Sequence, residues 1–490
     1  MKKQKYSFVY FFLIAALLVD FGYSYYQYSL ARLDGDLVPI VAPSEGYTKV
    51  LSEPFGWPAC VNGEIYPATN RFTAHATLSG YFKFMPGFLQ KFVSPIDSIF
   101  VSAAIAKTCL HICIVLLLGW FISGLFQFKW QECLLGTALV SPFLYTCGPF
   151  EEYMSIIDYS ITYTFFYALP FVCILLLLIP FYKTALNSLY KFPFWLKPIS
   201  IALVVLLAFF GALPAPILTI VATIAFLYFF FNYFPSNTSD SIVTKSFDSI
   251  KKINFQLFVF LTFTLCICLY SIYVGTKNLE NTWTPLPLWE RYYRLPKGII
   301  DCFFTFKRGP FLLVVALFIN VVVLLISQKP ETKMFFKISL FLTIFSIVYM
   351  LLLPLGGYRG YRPLIIRRDT ILPVLIILYY CWGTSSIMLI KMFNGLGKGL
   401  YICFLLGISF FYMKLDTVPT YTNMCEKEYL QELASKSKQS TGCIALKRDC
   451  TIINWGFMDS CENSKLIGSM LFYWNITPRE VEFYQAEETK

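Results

Sequence analysis

The sequence predicts an all-α polytopic membrane protein, with about eleven transmembrane helices and a small C-terminal tail. Three observations carry this reading. Of the 490 residues, 57% are hydrophobic and 14% charged, against ~45–50% and ~25% in ordinary soluble domains. The excess is gathered into apolar runs long enough to cross a bilayer as helices, without the ~10-residue alternation of a membrane β-barrel. The charge is also divided: residues 1–415 hold 32 Lys+Arg against 18 Asp+Glu, and residues 416–490 hold 8 against 11. A soluble enzyme, a disulfide-stapled secreted module, a coiled coil and a disordered chain are all excluded. Two units follow, a transmembrane domain over 1–415 and a polar tail over 416–490.

The expected spans lie near 6–26, 98–124, 133–149, 160–182, 199–213, 215–234, 254–275, 311–327, 338–354, 371–390 and 399–415. The fifth and sixth are short and hinge at Leu213-Pro214-Ala215-Pro216, because proline forbids a continuous helix. Met1-Lys2-Lys3-Gln4-Lys5 precedes the first span, and no small-residue cleavage site follows it. That pattern reads as an uncleaved signal anchor with a cytoplasmic N-terminus. Alternating sides then put lysines in every cytoplasmic connection and all eleven arginines on the outer side. Lysine serves topology, whereas arginine's planar fork suits phosphate or carboxylate. Asp20 and Lys107, inside adjacent spans, are expected to pair.

An odd number of spans places the tail outside. Its Cys425, Cys443, Cys450 and Cys461 suggest two disulfides, with three pairings open. The outer loops are 27–97, 148–159, 276–310 and 354–370. Asp34-Gly35-Asp36 follows the first span directly, so two carboxylates converge just above the membrane as catalytic base or metal ligand, or form a turn. Glu151, Glu152 and Asp158 make the second outer loop acidic, a candidate wall for acceptor or metal. Arg291 and Arg294 stand among aromatics in the third loop, which suit a membrane belt or sugar stacking. In the fourth, Arg359, Arg362, Arg367 and Arg368 surround three glycines at headgroup depth, as an anion site requires. His75 and His111, the only histidines, lie on different segments, which argues against a histidine metal site or a Ser-His-Asp triad.

These features resemble the GT-C superfamily of integral-membrane glycosyltransferases. The matching residues are Asp34-Gly35-Asp36 after the first span, Glu151-Glu152 and Asp158 in the second outer loop, and the later arginine loops, over roughly residues 1–415. The Trp-Trp-Asp-Tyr-Gly motif of oligosaccharyltransferases is missing, which argues against that branch. The resemblance implies a polyprenyl-phosphate-linked sugar donor and a glycan or lipid acceptor on the exoplasmic face, with no nucleic acid. Asp34 or Asp36 would take the acceptor's proton, and Arg359, Arg362, Arg367 or Arg368, helped by Arg291 and Arg294, would hold the donor phosphate. A divalent cation (Mg or Mn) could sit at Asp36 but is not required. The implied location is the bacterial inner membrane, with the tail periplasmic. A flippase or carrier of a lipid-linked solute, and an O-antigen polymerase or ligase, are the alternatives.

Overall fold

The computed structural model describes residues 2–144, 153–187, 189–190, 192–234, 241–283, 285–305, 309–358, 360, 363–419, 422–439 and 442–486. Glu151, Glu152, Arg359 and Arg362 therefore lie outside the described residues. Among the described residues, nine helices are long and apolar enough to cross a membrane: Phe8–Ser29, Pro95–Gly124, Ile161–Leu186, Pro214–Tyr233, Phe255–Gly275, Gly309–Ser327, Pro330–Gly356, Arg368–Met392 and Gly395–Leu415. The chain is a multi-pass membrane protein. A helix closes its backbone hydrogen bonds within its own segment, which is why lipid selects it.

Two of the eleven expected spans are shorter than a bilayer. The region 199–213 gives Leu196–Ala208, 13 residues, or about 20 Å of helix against a hydrocarbon thickness of about 30 Å. The region 133–149 gives Trp130–Val140, which tightens into a 3-10 turn at Ser141–Phe143 where Pro142 interrupts it. The expected hinge near Pro214 is real, with the next helix opening at Pro214.

Arg368–Met392 is the axis of the bundle. Its apolar window is 89% buried, against 61% or less for every other span. Trp382 donates to the carbonyl of Leu139, and Tyr379 to that of Met154. Asn320 on a neighbouring helix donates to Ser385 and Ser386 and accepts from Tyr401. Such polar links join helices where lipid supplies no hydrophobic drive. The expected Asp20–Lys107 pair does not form. Asp20 accepts from Ser141, while Lys107 extends along its apolar stem to the carbonyl of Tyr159.

One end of the bundle carries a cap built from the first loop and the tail. The first loop supplies Leu37–Val41, Glu45–Ser52, Trp57–Val61 and the longer helix Phe72–Leu89. The tail supplies two helices, Met424–Lys436 and Cys461–Tyr473, and a parallel strand pair, Ile444–Lys447 with Phe483–Ala486. Its disulfides are Cys425–Cys450 and Cys443–Cys461, one of the three open pairings. The tail is bolted down along its length. Asn423 donates to the carbonyls of Leu30 and Ser29, Lys427 pairs with Asp97 at 2.8 Å, and Trp474 donates to Phe82. Glu426, fully buried, accepts from the backbone N–H of Leu33 at 3.1 Å and of Ile453 at 2.7 Å. That one carboxylate ties the start of the first loop to the tail.

Candidate functional site

The loop Asp34-Gly35-Asp36 lies beneath the tail, and its two aspartates have different surroundings. Asp34 is 1% exposed. One of its oxygens accepts from Asp36 N–H and the other from Thr162 N–H, both at 3.1 Å. It thereby fixes both the turn into Leu37–Val41 and the start of the helix at Ile161. Gly35 is required by close approach, since a Cβ there would stand 2.4 Å from the backbone nitrogen of Trp455. Asp36 stays partly exposed. Burial pushes its carboxyl up to about 6, with Asp34 and Glu280 adding to the rise. Hydrogen bonds from Trp455 and Tyr163 act the other way.

Arg71, at the start of the Phe72–Leu89 helix, shares Glu280, Tyr47 and Tyr163 with Asp36 as electrostatic neighbours. Its stem runs past Gly211, which adopts φ +131° and whose added Cβ would meet Arg71 at 3.1 Å. Thr73 N–H bonds to the carbonyl of Phe209, so the hinge before Pro214 forms the seat for this arginine. The guanidinium lies 5.8 Å from the centre of the Phe166 ring. No hydrogen bond or ion pair engages it among the described residues. Burial works against its charge, but Glu280, Tyr167, Tyr47 and Tyr163 outweigh that and hold its pKa above the ordinary value.

One helical turn on, His75 donates Nδ1–H to the carbonyl of Arg71 at 2.9 Å, because the carbonyl can only accept. Nε2 is therefore an acceptor, and it is buried without a partner. Burial, together with Arg71, pushes this imidazole down to about 4, so it is neutral at pH 7. Its ring packs on Tyr47 at 5.0 Å and Phe166 at 5.1 Å. Burial pushes the Tyr47 phenol up to about 12, with help from Asp36 and Glu280. Glu280 comes from the turn Leu279–Thr282, anchored by Leu279 N–H on the carbonyl of Tyr66. On the other side Trp455, Tyr163 and Tyr167 form a row, with ring centroids 6.1 and 5.9 Å apart.

The other described residues of the predicted set make their contacts elsewhere. Asp158 accepts from Ser160 N–H and forms an ion pair with Arg368. Arg367 lies 3.5 Å from Asp369. Arg291 donates to the carbonyls of Leu286 and Pro354, and Arg294 holds Glu290 and the hydroxyl of Tyr358. The two groups approach through Tyr349, which lies within electrostatic reach of Arg367, Asp369 and Tyr167. No three His, Cys, Asp or Glu side chains converge for a metal among the described residues. A cation at Asp36 would therefore draw further ligands from outside them or from a substrate phosphate.

Arg71, His75, Tyr47, Tyr163, Glu280 and Trp455 did not stand out in the sequence. Arg71 was visible only as one of eleven outer arginines, and His75 only as half of an unhelpful pair. Trp455 gave no signal, being more than 400 residues from Asp36.

The arrangement offers a carboxylate poised near neutrality, a guanidinium with unused donors, a neutral imidazole acceptor and exposed aromatic faces. That set can bind an anion and take a proton from a hydroxyl. No known protein family matches the chain, and neither a characterised protein nor a solved structure is similar enough to count as a relative.

Proposed function

We propose that this protein is a membrane glycosyltransferase that moves a sugar from a polyprenyl-phosphate-linked donor to an acceptor at the capped end of the bundle. The observation that carries the reading is Asp36, set directly after the first span with its carboxyl raised to about 6, in one cluster with Arg71 through their shared neighbours Glu280, Tyr47 and Tyr163. In the reaction the acceptor oxygen bonds to the anomeric carbon as the bond from that carbon to the phosphate oxygen breaks. The acceptor's proton passes to Asp36, and the phosphate leaves with the bonding pair. Arg71 would meet the charge that develops on that phosphate. Asp34 serves as the mount for Asp36.

The capped end is read as exoplasmic. Lysines gather at the other connections, and the disulfides of the tail suit an oxidising compartment, such as the periplasmic face of a bacterial inner membrane. The test is sugar transfer by the purified full chain from polyprenyl-phosphate sugars to a panel of glycan and lipid acceptors. Transfer by the parent that falls steeply in Asp36→Asn supports the reading. An Asp36→Asn protein that transfers at the parental rate overturns it.

A further inference from the structure

Trp455 is 54% exposed, yet it sits on a polar, disulfide-tied tail and not on the lipid-facing perimeter. Its neighbours in the chain are Asn454 and Gly456, and its indole lies close enough to Asp36 to favour the charged carboxylate. The backbone holding it is over-determined. Ile453 has φ +46°, a costly conformation for a β-branched residue, and its N–H is held by buried Glu426. Trp455 N–H itself lies against Gly35. The result is an indole held close to the Asp36 carboxylate with about half of its surface exposed. The Tyr163 ring lies beside it, tilted by 31° with centroids 6.1 Å apart, and extends the aromatic contact.

We infer that Trp455 and Tyr163 form a platform for a hexopyranose ring of the acceptor, so the tail completes the substrate site and the acceptor is a glycan. The inference rests on the glycosyltransferase reading. A pyranose has an apolar C–H face that stacks on an aromatic ring and a rim of hydroxyls that needs acceptors. Here the rings supply the first, and Asp36 supplies the second at the edge of the same surface. A ring laid on this platform brings a hydroxyl to the residue that takes its proton. A protein side chain or a plain lipid alcohol would leave the platform unused.

Saturation-transfer NMR and titration of the full chain in micelles test this, with the methyl glycosides of glucose, galactose, mannose and N-acetylglucosamine as probes. At least one glycoside is expected to bind. Trp455→Ala should weaken it about tenfold, equivalent to about 1.4 kcal/mol, the upper part of the range for an aromatic contact. Trp455→Phe, which keeps a ring, should stay within about threefold, and Trp289→Ala should have no effect. Unchanged thermal midpoints establish that the variants fold, and Trp455→Phe keeps the test decisive should Trp455→Ala misfold. Binding that survives Trp455→Ala, or no binding of any glycoside, overturns the platform. Transfer without Trp455-dependent glycoside binding sinks this inference alone. Trp455-dependent binding without transfer from any polyprenyl donor sinks the glycosyltransferase reading and leaves a sugar-binding site.

Discussion

The cluster around Arg71 and the arginines of the third and fourth loops carry similar residues to different ends. In the later loops each described arginine of the predicted set is engaged. Arg368 holds Asp158, Arg367 lies beside Asp369, Arg294 holds Glu290 and Tyr358, and Arg291 holds two carbonyls. These contacts latch the loops to the bundle. Arg71 has a seat but no partner among the described residues. The four described arginines of these loops are therefore fastened within the fold. Unused hydrogen-bonding capacity on a held side chain is the better index of a site. Asp34 and Asp36 teach the same lesson two residues apart, since one spends both oxygens on backbone N–H groups and the other stays partly exposed.

The comparison is broken most directly at Asp36. Asp36→Asn should lower the transfer rate ~10²–10⁴-fold, the usual cost of losing a general base, with no drop in thermal midpoint. A parental rate would equate it with Asp34. Next comes the arginine contrast. Arg71→Ala should cost ~10²–10³-fold in kcat, as for loss of a donor to developing negative charge, and Arg71→Lys should recover little because the fork is lost. Arg294→Ala should leave kcat near the parental value. Comparable losses in both would erase the distinction.

The pH profile follows in size. Asp36 acts only when ionised, and its carboxyl is raised to about 6. Activity should therefore climb with pH through about 6 and level off above it, falling roughly tenfold per unit well below. An acid limb near 4 would place the base elsewhere. His75, pushed down to about 4, stays neutral across this range and should add no limb above pH 5.

Stability effects are smaller. Asp34→Asn turns an amide NH₂ toward a backbone N–H and should destabilise by about 1–3 kcal/mol, the cost of an unsatisfied buried donor. Glu426→Gln should do the same through Leu33 and Ile453. Both would appear as lowered thermal midpoints, and Glu426→Gln should also loosen Trp455. The smallest effect is expected at the Arg294–Glu290 pair, a partly exposed (i, i+4) contact whose removal should leave the midpoint nearly unchanged.

The sequence by itself marked the nine membrane-crossing helices of the described residues, along with two segments too short to cross. Lipid forces each segment to satisfy its own backbone, so the signal is local and survives in composition and run length. It also marked the proline hinge, the carboxylates after the first span and the presence of two disulfides. Tertiary structure alone chose Asp36 over Asp34, because that choice depends on which N–H groups meet which oxygen. It alone fixed the disulfide pairing and seated Arg71 on Gly211. It alone brought Glu280 and Trp455 to Asp36 from hundreds of residues away. Those contacts arise from packing between segments, and neither hydropathy nor spacing along one chain encodes which segments meet.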